Sequence, residues 1–169
     1  MKKMALAALL ASGLMAAGNE NYFGISVGNA ELEASSSLGD TSTDGGQFTV
    51  TLGHYYGDSG RISASYSYIN REQDVKHSDV LSFAYDFTLP LADNKFSLYA
   101  GPVVGYTFYK DDVVDFSGFH YGAQAGAIIR VVDNIEFEAG YRYLVETASD
   151  LGIDYDDVKM WYVGANIRF

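Results

Sequence analysis

Residues 78–89 read Ser78-Asp79-Val80-Leu81-Ser82-Phe83-Ala84-Tyr85-Asp86-Phe87-Thr88-Leu89. Leu81, Phe83, Tyr85, Phe87 and Leu89 fall on one side of an extended backbone, and Ser82, Ala84, Asp86 and Thr88 on the other. A period of two is the pattern of a strand with two unlike faces. A water-soluble sandwich turns its apolar row inward, where the row must pack, and shows charge outside. Here the second row is too small and too hydrophilic to be such a core, and the first row, two leucines and three aromatics, is apolar throughout. The apolar row therefore points outward, and its solvent is hydrocarbon.

The same alternation recurs in segments of about ten residues separated by turn residues, which is the pattern of a membrane barrel. Eight can be read: Tyr22 to Leu32, Gln47 to Tyr56, Arg61 to Asn70, Ser78 to Leu89, Phe96 to Tyr109, Gly118 to Arg130, Ile135 to Val145 and Val158 to Phe169. Only helices and closed sheets satisfy every backbone N–H and C=O in lipid. Beyond the first residues no apolar run approaches the ~20 residues of a spanning helix. The expected fold is all-β, an eight-stranded antiparallel up-and-down transmembrane β-barrel. Pro102 is a blemish in the fifth segment, because it cannot donate to the ladder.

Links after segments one, three, five and seven are long, the first being the polar stretch Glu33 to Gly46. Those after two, four and six are short: Gly57-Asp58-Ser59-Gly60, Pro90 to Asn94 and Asp133-Asn134. Short turns in such barrels face the periplasm and long loops the exterior, so both termini are expected in the periplasm. Outward aromatics gather near segment ends. Tyr66, Tyr68, Phe108, Phe119, Tyr121, Tyr143 and Trp161 lie toward one rim, and Tyr56, Phe87 and Phe169 toward the other. These are the expected interfacial girdles.

Lys2 and Lys3 precede an almost wholly Ala, Leu and Met run from Met4 to Ala17, too short to span a bilayer and shaped like an export signal. Residues 1–18 are read as a cleaved signal peptide and 19–169 as the outer-membrane barrel domain. There is no cysteine, and 11 basic residues stand against 22 acidic ones. That surplus of negative charge excludes nucleic acid as a partner class, since phosphate binding needs a basic surface.

Tyr99-Ala100-Gly101-Pro102-Val103-Val104-Gly105-Tyr106, Ala139-Gly140-Tyr141-Arg142-Tyr143 and the ending Val163-Gly164-Ala165-Asn166-Ile167-Arg168-Phe169 resemble the small outer-membrane β-barrels of the OmpX/Ail and OmpA type. The resemblance covers the mature chain and includes no peptidoglycan-binding domain. It implies a monomer in the cell outer membrane among lipid and lipopolysaccharide. It also implies that Val163, Ala165, Ile167 and Phe169 serve as the signal read by the β-barrel assembly machinery, with periplasmic chaperones as further partners during biogenesis.

Eight strands enclose a space that side chains just fill. Inward charges suit this. Arg130 and Arg168 close segments six and eight near the periplasmic end, where Glu136 and Glu138 open segment seven, and Arg142 and Asp86 add further charge. These six are read as a salt-bridge network that plugs the lumen, with a narrow low-conductance channel as the alternative. The long links carry Asp111, Asp112, Asp115, Glu146, Asp150, Asp154, Asp156 and Asp157, oxygens of the kind that hold divalent cations, although the spacing matches no EF-hand. Divalent cations are thus candidate loop partners, and no built metal, cofactor or catalytic site is expected.

Some eight-stranded barrels modify lipid A, so an enzyme is the other alternative. Nucleophilic catalysis needs a serine beside a histidine oriented by a carboxylate. In His77-Ser78-Asp79 neighbouring side chains point to opposite faces, and His54, His77 and His120 all lack the His-x-Ser arrangement of the deacylases. His120 is expected to fill the lumen as a hydrogen-bonding group.

Overall fold

Alternating apolar and β-branched residues favour pleated strands, and glycine and asparagine punctuate them. The computed structural model describes residues 20–36, 39–71, 77–92, 95–110, 115–147, 149–150 and 153–169. Its strands are β1 (Asn21–Ser36), β2 (Gly39–Tyr56), β3 (Gly60–Arg71), β4 (His77–Leu91), β5 (Phe96–Lys110), β6 (Asp115–Val132), β7 (Ile135–Glu146), β8 (Ser149–Asp150) and β9 (Ile153–Arg168). Sequential neighbours pair antiparallel, β9 pairs β7 and β1, and the two-residue β8 pairs only the start of β9. Eight spanning strands thus close into a barrel with no free edge. The segment read as an export signal lies outside the described residues.

Following Cα partners once around the wall fixes the stagger. Leu32 leads to Val158, Leu144, Gly122, Val103, Ala84, Ser63 and Gly53, and the path returns to β1 at Tyr22, ten residues below its start. Such stagger tilts the strands and narrows the interior until side chains fill it. At Pro102 the β5–β6 ladder is continuous, but no β4 partner is assigned to Gly101 or Pro102. The register on either side of this gap is unchanged, so the missing N–H removes rungs without shifting the strand.

The outward face carries a band of exposed and half-exposed apolar residues: Phe23, Ile25 and Val27 on β1, Phe83 to Leu89 at odd positions on β4, and Phe119 to Ile129 at odd positions on β6, the last with alanines at its middle. Trp161 and Phe87 keep 66% and 65% of their surface exposed, which no water-soluble core strand does. The expected girdle aromatics all lie on this face.

The strands run on past the band. Glu33 to Gly46 was expected as a loop, yet β1 continues to Ser36 and β2 begins at Gly39, joined rung by rung from Ala30↔Gly45 to Ser36↔Gly39. Here the two faces exchange character. Outward positions become Asn29, Glu31, Glu33, Asp157 and Lys159, and the inward ones Ala30, Leu32, Val158 and Met160 are fully or almost fully buried. Above the aromatic rim the barrel meets water, so its apolar row turns inward as in a soluble barrel. The lumen is therefore not polar along its whole length, as its Gly, Ser and Thr rows had implied.

Inward glycines make room for the tyrosines that fill the lower lumen. A Cβ at Gly140 would run into the hydroxyls of Tyr99 and Tyr162, which are hydrogen-bonded to each other at 2.7 Å and cannot retreat separately. Gly140→Val is expected to destabilise the folded barrel by about 1–3 kcal/mol through overpacking. Gly46→Ala, where nothing lies within 4 Å of the added carbon, leaves the urea unfolding midpoint in lipid vesicles unchanged.

Candidate functional site

Every strand contributes alternate residues to one narrow interior, so groups far apart in sequence are forced together. Arg61, the second residue of β3, lies at the centre of the lower lumen. It donates from Nε to Asp86 Oδ2 at 2.7 Å, and from Nη1 and Nη2 to the two oxygens of Glu138 at 3.0 and 2.8 Å. Its guanidinium carbon stands 4.1 Å from the ring centre of Tyr99 and 5.7 Å from that of Tyr22. Asn166 adds a hydrogen bond to Glu138 Oε2 at 2.8 Å. A bidentate pair with further donors is the geometry in which a buried charge pair can offset its desolvation.

The chain of contacts continues through a neutral amide. Gln124 donates from Nε2 to both oxygens of Asp86 at 2.8 and 2.9 Å, and its Oε1 accepts from Arg142 Nε and Nη2 at 2.9 and 2.7 Å. Arg142 Nη1 reaches Ser65 Oγ at 3.2 Å. Among the described residues no carboxylate lies in ion-pair range of Arg142, so the Gln124 dipole links it to Asp86. Near the short-turn end of the barrel, Glu136 Oε1 accepts from Arg130 Nε at 3.1 Å and Arg168 Nη1 at 3.3 Å, and Oε2 accepts from the Tyr55 hydroxyl at 2.8 Å.

Of the six charges expected to cooperate, the structure joins Arg130, Glu136 and Arg168 in one cluster. Asp86, Glu138 and Arg142 belong to another, through Arg61 and Gln124. Glu138 does not reach Arg130 or Arg168. In the sequence Arg61 stands directly after a turn, where a basic residue reads as solvated. Its position two residues from Ser63, on the row opposite Ile62 and Ala64, was the available signal.

A third constellation was not anticipated. Ser82 Oγ lies 3.0 Å from His120 Nε2, His120 Nδ1 lies 2.9 Å from Thr107 Oγ1, and Thr107 donates to Glu146 Oε1 at 2.7 Å. The single hydroxyl proton of Thr107 is committed to Glu146, so Nδ1 of His120 carries the proton and Nε2 accepts from Ser82. Serine, histidine and carboxylate are thus brought together from β4, β6 and β7, with a threonine interposed. Ser82, Thr107 and His120 are each at most 1% exposed, so the relay is closed off from solvent. Glu146, expected as a loop carboxylate for cations, instead faces inward and is buried. His77 stacks on Tyr68, Asp79 accepts from the Tyr66 hydroxyl, and Ser78 turns inward, so that triplet does not converge.

Outside, above the aromatic rim, Lys159 is paired with Glu33 and lies 3.9 Å from Asp157, while Tyr143 donates to Asp157 at 2.7 Å. Lysine's ammonium holds the Glu33 carboxyl below its usual range, and the carboxylates hold Lys159 above its own. The side chains of Asp111, Asp112, Asp115, Asp150, Asp154 and Asp156 lie outside the described residues. Among the described residues no group of three or more metal-ligating side chains converges.

A family model described as the outer membrane protein beta-barrel domain matches residues 4–169. The chain belongs to this family. Among solved structures, this outer-membrane barrel resembles Neisserial surface protein A, NspA, at 18% identity and a TM-score of 0.68, over 87% of this chain and 97% of that one. Outer membrane protein H, OprH, of P. aeruginosa is similar at 23% identity and a TM-score of 0.60, over 89% and 99%. The outer membrane enzyme PagL shares the fold at 14% identity and a TM-score of 0.53, over 85% and 99%. No curated protein sequence matches significantly.

Arg61→Met strands two buried carboxylates and is expected to destabilise the barrel by about 3–5 kcal/mol. Arg61→Met combined with Glu138→Gln recovers part of that loss, which a double-mutant cycle on unfolding midpoints in vesicles will resolve. The Lys159–Glu33 pair has its own pH window. Glu33, with its pKa depressed, loses its contribution as pH falls below about 4, and Lys159, with its pKa raised, loses its contribution as pH rises beyond about 10. Wild type and Lys159→Gln therefore differ in stability between those limits and converge outside them.

Proposed function

We propose that the mature chain is a non-enzymatic, ion-tight surface barrel that packs among the lipopolysaccharide of the outer membrane and presents an acidic extracellular collar. The observation that carries this reading is the filled interior. The Arg61–Glu138–Asp86–Gln124–Arg142 chain and the Arg130–Glu136–Arg168 cluster occupy the lower lumen, and the cavities described between them are only about 30 and 20 Å³. Such space suits a water or two and no substrate.

In this reading residues 1–18 direct export and are removed, and both termini stay in the periplasm. Val163, Ala165, Ile167 and Phe169 form the outward row of the last strand that assembly factors read. The inward charges Asp86, Arg130, Glu136, Glu138, Arg142 and Arg168 act as a plug. The collar of Glu31, Glu33 and Asp157, relieved only by Lys159 among the described side chains of that row, sits at headgroup height. Divalent cations shared with lipid phosphates would satisfy it.

The one observation favouring an enzyme is the Ser82–His120–Thr107–Glu146 relay, and its burial counts against it. Lipid A mass spectra from cells with and without the protein are expected to be identical, as are spectra from cells carrying Ser82→Ala. New acylated or deacylated species that vanish with Ser82→Ala would replace this reading with a hydrolase or acyltransferase. Purified protein in planar bilayers is expected to give no steady conductance.

A further inference from the structure

The lipid-facing wall is not uniformly thick. Across β6 and β7 its outward row shrinks to Ala125, Ala127 and Ala139, all exposed or half-exposed. Larger side chains border them along the ladder. Val163 is the partner of Ala139, Ala139 of Ala127, and Ala127 of Leu98, while on the rung above Trp161 pairs with Tyr141 and Tyr141 with Ala125. The Trp161 and Tyr141 rings brace each other with centroids 4.5 Å apart. Between these walls runs an open groove of about 640 Å³, floored by the three alanines.

The upper end of the groove is the rung Asn29↔Trp161, and the next outward rung above it, Glu31↔Lys159, already belongs to the charged collar. Rows of Cα partners descend from β1 toward β5 as they pass around the staggered wall. The groove therefore slopes from the foot of the collar into the hydrocarbon zone, with Leu98 at its lower end. Whatever fills it is apolar there and meets charge above.

A second copy of the chain fits this place poorly. A symmetric pair meeting at the groove would set one concave face against another and leave a void between them. It would also bring Glu31, Glu33 and Asp157 opposite their own counterparts at one height, and like charges so placed repel. A single hydrocarbon chain suits the width and the slope. Lipid offers no hydrophobic force toward the wall, so the gain is dispersion contact on three sides. A lipid whose headgroup is retained at the collar presents its chain to the groove at high effective concentration.

We propose that this groove seats one acyl chain of a lipopolysaccharide molecule whose lipid A phosphates lie at the collar. The inference rests on the surface-barrel reading given above and names the face by which the barrel holds its lipid.

Trp161, the single tryptophan of the chain, forms one wall of the groove and reports its contents. The full mature chain is refolded in vesicles of dibrominated phosphatidylcholine, whose bromines quench the indole, with magnesium present. Unbrominated lipid A or unbrominated phosphatidylcholine is then mixed in. Lipid A is expected to restore fluorescence at a severalfold lower mole fraction than phosphatidylcholine does. Ala139→Leu and Ala125→Leu, which fill the floor with apolar atoms that lipid tolerates, are expected to bring the two curves together. Ala64→Leu, on the lipid-facing row of β3 away from the groove, keeps them apart. Faster gel migration before boiling than after reports a folded barrel for each variant, and the second floor variant keeps the comparison alive if the first does not fold. A lipid A preference that survives both floor variants overturns the groove and leaves the surface-barrel reading standing. Coincident curves in wild type overturn the groove and the lipopolysaccharide contact together. Fluorescence that follows the protein-to-lipid ratio and neither added lipid would put a second copy in the groove instead. A Trp161 that brominated lipid never quenches would refute the membrane placement beneath both.

Discussion

In hydrocarbon a backbone N–H or C=O has no water to turn to, and every one left unpaired costs several kcal/mol. For a sheet the remedy is closure. The pairing of β1 with β9, from Tyr22↔Arg168 up to Ser36↔Ile153, removes the last two edges, and one bulge between Glu33 and Ala34 absorbs the mismatch. Everything else in the molecule is subordinate to that ring. Its stagger fixes the tilt, the tilt fixes the bore, and the bore decides which side chains fit inside.

Closure makes a two-faced wall, and the solvent then assigns the faces. Within the bilayer, lipid selects apolar residues outside and leaves the interior to small and charged ones. Above the aromatic rim, water outside reverses the assignment over a few rungs. On β1 the change is complete between Val27, an exposed apolar residue, and Glu31, which shares its face and accepts a hydrogen bond from Ser42. Along β1 and β9 the wall thus changes from a lipid-type to a water-type assignment of faces, and that change marks the membrane surface beside the girdle aromatics. The buried ion pairs and the buried row of Ala30, Leu32, Val158 and Met160 are consequences of the same geometry under different outside conditions.

Much of this was legible in the residues. Strand count, strand direction and the outward row of Leu81, Phe83, Tyr85, Phe87 and Leu89 follow from local alternation, which a single strand displays unaided. The partners inside the barrel do not, because they depend on register summed around the wall. Arg61 meets Glu138 across 77 residues, and Ser82 meets His120 because β4 and β6 both border β5. Neither follows from spacing in the chain. The extension of β1 and β2 was hidden by composition, since Ser, Thr, Gly and Asp between Glu33 and Gly46 are turn formers that here decorate a solvated hairpin. Glu31-Leu32-Glu33 was the overlooked sign: its alternation continues that of Phe23 to Val27 with the polarity of the two faces exchanged.

Odd positions of β1 face lipid low on the strand and water high on it. The chain has no cysteine, so Ile25→Cys, Val27→Cys, Glu31→Cys and Glu33→Cys can each carry one nitroxide label in vesicles. Collision with dissolved oxygen and with a water-soluble nickel complex then reports the surroundings of each. Labels at 25 and 27 are expected to favour oxygen, and those at 31 and 33 to favour nickel. Nickel accessibility at 25 and 27 equal to that at 31 and 33 would contradict the orientation of the wall, and with it the membrane-spanning fold.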